Sequence, residues 1–143
     1  RVHGDTILVN GPYELSGVEV DCMDTPDLVP VIATLGAFAK GETRIYNIPH
    51  LRKKESDRIS AICGELAKLG AKVREGDDEL VIMGSDMHGG EVSSHGDHRI
   101  AMALSIVGLK VGGVRIDGGE CVSKSYPRFV EDMRRMGANI QMS

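Results

Sequence analysis

Seven residues carry most of the chemistry this sequence can offer: Asp27, Lys54, Glu55, Arg58, His98, Arg99 and Lys124. Each lies near a point where strand-like sequence gives way to helix-like sequence. A helix N-terminus exposes free backbone N–H groups and a partial positive charge. An Arg or Lys added there makes a site for phosphate or carboxylate. Arg58, Arg99 and Lys124 belong to three different helix starts, so they would face one anion if those starts share a sheet edge. The densest stretch is L-R-K-K-E-S-D-R, residues 51–58, with four cations and two carboxylates in eight residues. It reads equally as a pocket wall or as a wet face on which the charges neutralise one another, because surface ion pairs are common and weak. Glu55 is either a first-turn carboxylate that suits the helix dipole or a proton donor and acceptor held among cations. Asp27 and Asp97 both suit helix caps, and for Asp97 the cap is the preferred reading. His95-Gly96-Asp97-His98 has the spacing of a loop metal site but lacks further ligands, so no metal is expected. Gly112-Gly113 and Gly118-Gly119 do not follow the pattern of a dinucleotide or Walker loop.

The elements that must position these residues follow from periodicity. Short strands are expected at 7–9 and 17–20, separated by the turn signal Asn10-Gly11-Pro12. Residues 26–39 read as a helix capped by Thr25, with Pro26 in its first turn and Leu28, Val31, Ile32, Leu35 and Ala39 on one face. A strand at 43–48 follows. The clearest helix is 56–69, where Ile59, Ile62, Cys63, Leu66 and Leu69 form a stripe and Gly70 supplies the stop. Strands at 71–73 and 79–83 flank the acidic turn Gly76-Asp77-Asp78 as a hairpin. The second half repeats the order: a strand at 90–93, an apolar helix at 99–109 capped by Asp97 and buried on most sides, and a strand at 114–117. A last helix is capped by Ser125, has Pro127 in its first turn, and carries Phe129, Val130, Met133 and Met136 as its stripe.

Two segments recur at nearly constant offset. The run after Asp27 matches the run after Asp97, 70 positions later, and residues 66–73 match residues 133–140. Four matching elements in order argue for an internal repeat. Alternating strands and helices place the chain in the α/β class (α+β in some schemes), as βαβαββ-type units with helices packed against mixed sheets.

Composition narrows the function classes. The 143 residues suffice for one domain with a real core. A formal charge of −4, no Trp and 3% aromatic residues argue against a nucleic-acid partner. No apolar run reaches membrane-spanning length. Three widely spaced cysteines, with no C-x-x-C, fit a reducing cytoplasm. The chain begins at Arg1 rather than Met and enters strand-like sequence at once, which suggests a piece of something longer.

The motifs L-R-K-K-E-S-D-R (51–58), G-D-H-R-I-A-M-A (96–103) and C-V-S-K-S-Y-P-R-F (121–129), in this order, resemble the 5-enolpyruvylshikimate-3-phosphate (EPSP) synthase family. D-T-P-D-L-V-P (24–30) and F-A-K-G-E-T-R (38–44) fit the same family, so the resemblance covers nearly the whole chain from about Val18. The sister family, UDP-N-acetylglucosamine enolpyruvyl transferase, is matched much less well at K-E-S-D-R and K-S-Y-P. The resemblance implies transfer of the enolpyruvyl group of phosphoenolpyruvate to the 5-hydroxyl of shikimate 3-phosphate, with release of phosphate and without metal or organic cofactor. It implies that residues 1–143 belong to the carboxyl-terminal domain as about two repeat units, roughly 18–89 and 90–143. The other domain would then be absent, leaving this chain inactive alone, and the full-length protein would be a cytoplasmic monomer. Carried over position by position, Arg58, Arg99 and Lys124 would bind phosphoenolpyruvate, and Lys54 would contact shikimate 3-phosphate. Asp27 would contact the shikimate hydroxyls and serve as the base for the attacking one. Glu55 would exchange a proton at the methylene carbon, Lys124 would share the catalytic work, and His98 would support the site. A stand-alone anion-binding module without chemistry is the alternative from another class.

Overall fold

The computed structural model describes residues 2–142. Two short strands, β1 (Val2–His3) and β2 (Thr6–Ile7), form an antiparallel ribbon of their own. The strand expected at 7–9 ends at Ile7. Ile7, Leu8 and Val9 are all exposed, so no burial holds an extended conformation there.

The main sheet has four strands in the order β3 (Glu19–Asp21), β4 (Glu42–Tyr46), β6 (Leu80–Met83), β5 (Lys72–Glu75). β3 runs parallel to β4, whereas β4–β6 and β6–β5 are antiparallel. The parallel pair is joined through helix α1 (Val29–Phe38). A second parallel pair, β7 (Gly90–Ser93) and β8 (Val114–Asp117), is joined through α3 (His98–Val111). Between these units, α2 (Arg58–Lys68) leads into the β5–β6 hairpin, and α4 (Phe129–Arg135) closes the described chain. The result is a mixed α/β architecture.

α1, α2 and α3 pack on one another and share a core with both sheets. The α2 stripe is buried as expected, with Ile59, Ile62, Leu66 and Leu69 fully inaccessible. α1 differs. Leu28, Val31 and Leu35 are exposed, while Val29, Ala33, Thr34, Gly36 and Ala37 face inward. Small side chains let α1 approach α3 closely enough for the Thr34 hydroxyl to reach the Ala103 carbonyl at 3.4 Å, so the larger residues are left outside.

Two helix starts also depart from expectation. Residues 26–28 form a 3-10 turn and Thr25 makes no side-chain capping bond. Pro30 has no N–H with which to close the first α-helical hydrogen bond, and the turn tightens instead. Ser125 does not cap α4. It ends a 3-10 helix, Gly119–Lys124, by donating its N–H to Val122, and α4 begins only at Phe129. Phe129 is buried in a small satellite core with Ala101, Cys121 and Val122, but Met136 is 73% exposed.

Candidate active site

The stretch 51–58 divides its charges between two directions. A 3-10 turn, Pro49–Lys53, anchors it through the buried Leu51. The Arg52 guanidinium binds the Asp57 carboxylate at 2.9 Å, Glu75 at 2.8 Å and the Gly76 carbonyl at 2.6 Å, tying the stretch to the β5–β6 turn. Asp57 caps α2 by accepting the Ser60 N–H at 3.1 Å. Burial pushes the Asp57 carboxyl up, but the Ser60 N–H and Arg52 prevail and hold it below the usual carboxylate range. Arg52 and Asp57 therefore build the local frame, and the residue after the cap, Arg58, turns inward.

Arg58 is 1% exposed, and each nitrogen of its guanidinium serves a different carboxylate. Nε donates to Asp97 Oδ2 at 2.7 Å, Nη1 to Asp27 Oδ1 at 2.9 Å and Nη2 to Glu55 Oε2 at 2.6 Å. Asp97 is fully buried, caps α3 by accepting the Arg99 N–H at 2.9 Å, and also accepts the Ser56 hydroxyl at 3.2 Å. The other oxygen of Asp27 binds Arg99 Nη2 at 2.7 Å. One carboxylate thus bridges the two guanidinium groups opening α2 and α3. The cap reading of Asp97 holds, but its pairing with Arg58 across 39 residues is invisible in a local pattern. The one available signal was the repeat, which sets Asp97 at the position of Asp27.

Asp27, Glu55, Arg58 and Arg99 are therefore brought into one connected group. Lys124 approaches from the 3-10 helix ahead of α4 and donates to the Gly96 carbonyl at 2.8 Å, one residue from Asp97. Gly118 starts that 3-10 helix in a left-handed conformation, φ +69°, and a Cβ there would lie 2.6 Å from the Ser94 hydroxyl oxygen, so only glycine fits. His98 is buried beside the group, and its Nδ1 has no hydrogen-bond partner among the described residues. Lys54 is exposed and makes no ion pair among the described residues, so the structure leaves it outside the connected group. No cluster of three metal-ligating side chains occurs among the described residues.

A family profile described as "EPSP synthase (3-phosphoshikimate 1-carboxyvinyltransferase)" matches residues 2–133. The 3-phosphoshikimate 1-carboxyvinyltransferase of Methanococcus maripaludis strain S2 is 44% identical over 144 residues, which span 99% of this chain and 34% of that protein. The enzyme of that name from Methanopyrus kandleri is 49% identical over 98% of this chain and 33% of its own length. The chain belongs to the EPSP synthase family. A solved EPSP synthase from Acinetobacter baumannii superposes with a TM-score of 0.83 at 33% identity, covering 91% of this chain and 32% of that one. The enolpyruvyl transferase NikO from Streptomyces tendae superposes at 0.73 with 26% identity. The mixed α/β architecture is thus that of the EPSP synthase fold. The chain spans about a third of the length of the curated relatives it matches.

Charge at the site is balanced. Arg58, Arg99 and Lys124 stand against Asp27, Glu55 and Asp97, three of each sign. Burial, the largest influence on Arg58, opposes its charge, yet Asp97, Asp27 and Glu55 together outweigh burial and raise its affinity for the proton. Burial likewise pushes Asp97 up, and Arg58 with the Arg99 N–H brings it below the usual carboxylate range. Each group thus favours the charged form of the other. Asp27 and Glu55 are different, because their side chains are 48% and 42% exposed. They can turn away from Arg58 when a stronger anion arrives. Arg99 spends one of its five N–H donors on Asp27 and Lys124 one of its three on Gly96, so both have donors left for a ligand.

Proposed function

We propose that this chain supplies one wall of the site at which an EPSP synthase moves the enolpyruvyl group of phosphoenolpyruvate to the 5-hydroxyl of shikimate 3-phosphate. The observation that carries the reading is the bridging of Arg58 and Arg99 by Asp27, in a chain whose family is that of the synthase. Phosphoenolpyruvate carries a phosphate and a carboxylate and calls for several guanidinium or ammonium groups. Arg99 and Lys124 meet it with their free donors. Arg58 meets it when Asp27 or Glu55 yields.

The released carboxylates then take up the proton work. Asp27 accepts the proton of the attacking hydroxyl as its oxygen bonds to the central carbon of phosphoenolpyruvate. Glu55, in its acid form once released from Arg58, gives a proton to the methylene carbon and recovers it when the C–O bond to phosphate breaks and the double bond re-forms. Asp27 hands the hydroxyl proton to the departing phosphate, so both carboxyl groups end the cycle as they began it. Lys124 steadies the departing phosphate, Lys54 reaches toward shikimate 3-phosphate, and His98 packs beneath the site.

On this reading residues 1–143 are part of the carboxyl-terminal domain of a cytoplasmic enzyme. The remaining domain completes the cleft and excludes water. The test is phosphate release from the two substrates together. The full-length protein is expected to turn over only when both are present, and the 143-residue chain alone to show negligible activity. Turnover by the chain alone, or none by the full-length protein, would overturn the reading. Tight phosphoenolpyruvate binding by the isolated chain would favour an anion-binding module instead.

A further inference from the structure

The chemistry above leaves unused a second buried carboxylate on α2. Glu65 is 2% exposed and lies seven residues, or two helical turns, after Arg58, on the same face of the helix. Both residues grip the connection from β7 to α3. Arg58 holds its end at Asp97. Glu65 holds its beginning, accepting the Ser93 N–H at 3.0 Å and bonding His95 Nε2 at 2.7 Å. Its remaining partner, Lys68 at 2.8 Å, lies on its own helix.

The connection itself is a tight turn. His95 and Gly96 are consecutive residues with positive φ, +53° and +68°. A side chain at such a φ is disfavoured, so His95 needs a compensating contact to stay there. Among the described residues, the Glu65 bond is the one its ring makes. The Ser94 hydroxyl secures the outer side by donating to the Gly118 carbonyl at 2.9 Å. From this turn come the Gly96 carbonyl that receives Lys124, the Asp97 carboxylate that holds Arg58, and the N-terminus of α3 with Arg99.

We propose that Glu65 is a positioning residue of the anion site, acting through His95 and Ser93 to fix the 93–97 turn that places Arg99 and Lys124. This deepens the enolpyruvyl-transfer reading and rests on it for the identity of the substrate. Glu65 touches no reacting atom. It sets where the cations stand when phosphate arrives.

Two variants test the clamp in the full-length protein carrying this chain. Glu65→Gln keeps the size and the acceptor for Ser93 but removes the charge. His95→Gly suits the positive φ, so it relieves the backbone while deleting the contact, and equilibrium unfolding of each variant separates a folding defect from a displaced site. Each is expected to weaken binding of inorganic phosphate, measured by calorimetry, about tenfold. The double variant is expected to be no worse than either single one, because both break one interaction. The KM for phosphoenolpyruvate should rise by a similar factor while the KM for shikimate 3-phosphate holds. Lys68→Met, which removes the partner of Glu65 that lies outside the turn, should leave both unchanged. Phosphate affinities equal to wild type, additive losses, an equal loss in Lys68→Met, or a wild type that binds no phosphate would each overturn the clamp. A wild type that fails to turn over the two substrates, while phosphate binding weakens as expected, would sink the reaction assignment and leave the clamp standing.

Discussion

Asp27 and Asp97 occupy the same position in the 70-residue repeat, just ahead of a helix, and both bind Arg58. Their surroundings separate them. Asp97 is fully buried, caps α3 and accepts three hydrogen bonds at its carboxylate, from Ser56, Arg58 and the Arg99 N–H. Asp27 sits in a 3-10 turn, caps nothing, and has its side chain about half exposed. On the proposed reading, one acid holds the fold together and the other reacts. Burial, not residue type or repeat position, assigns the two roles.

The strongest way to break this contrast is Asp97→Ala. It strands the buried Arg58 charge with only two half-exposed partners and removes the α3 cap. Breaking a buried pair in this way costs about 3–5 kcal/mol, and equilibrium unfolding in denaturant is expected to show it. Asp27→Asn should do the opposite. Its stability should stay within about 1 kcal/mol of wild type, while turnover of the full-length protein falls about a hundredfold through loss of the base. A stability loss in Asp27→Asn as large as that in Asp97→Ala would erase the distinction.

How much of this was legible in the sequence depended on side-chain size and on distance along the chain. α2 was readable because its large apolar residues recur at helical spacing and are all buried. α1 misled, because its inward face is made of Ala33, Gly36 and Ala37, which a hydrophobic stripe undervalues. Ser125 looked like a cap, yet a 3-10 helix claimed it first. At the site, the grouping of Asp27, Glu55, Arg58 and Arg99 could be expected from helix-start spacing and family motifs. The Arg58–Asp97 pair and the Glu65–His95 contact could not, since each joins residues about 30 or more positions apart. Lys54 is exposed and makes no ion pair among the described residues, so its proposed contact with substrate rests on the family motif alone.

A smaller effect sharpens the contrast from the ligand side. Lys124→Met removes an exposed cation whose one contact is a carbonyl oxygen, so unfolding should be within about 0.5 kcal/mol of wild type. Affinity for phosphoenolpyruvate should fall about tenfold, the value of one charge-assisted hydrogen bond. Equal affinity would place Lys124 outside the anion site.

The smallest effect comes from mild acid. Asp97 in the folded state holds its proton less tightly than an ordinary aspartate, which titrates near 3.8. A carboxyl depressed by folding adds stability that is complete above the unfolded value and is lost as pH falls through the folded one. The stability gap between wild type and Asp97→Asn should therefore be constant from pH 7 to about pH 5, then narrow progressively below the ordinary aspartate value. Glu65, also held below its usual range against the pull of burial, by Lys68, His95 and the Ser93 N–H, adds to acid sensitivity in the same direction. Unfolding midpoints measured for both proteins at several pH values separate the contributions, since Glu65 is common to both and cancels in the gap. A gap that stays unchanged as pH falls below the ordinary aspartate value would mean that Asp97 binds its proton as an exposed carboxylate does. Its ion pair with Arg58 would then be no firmer than the one Asp27 makes, and the two halves of the repeat would be alike after all.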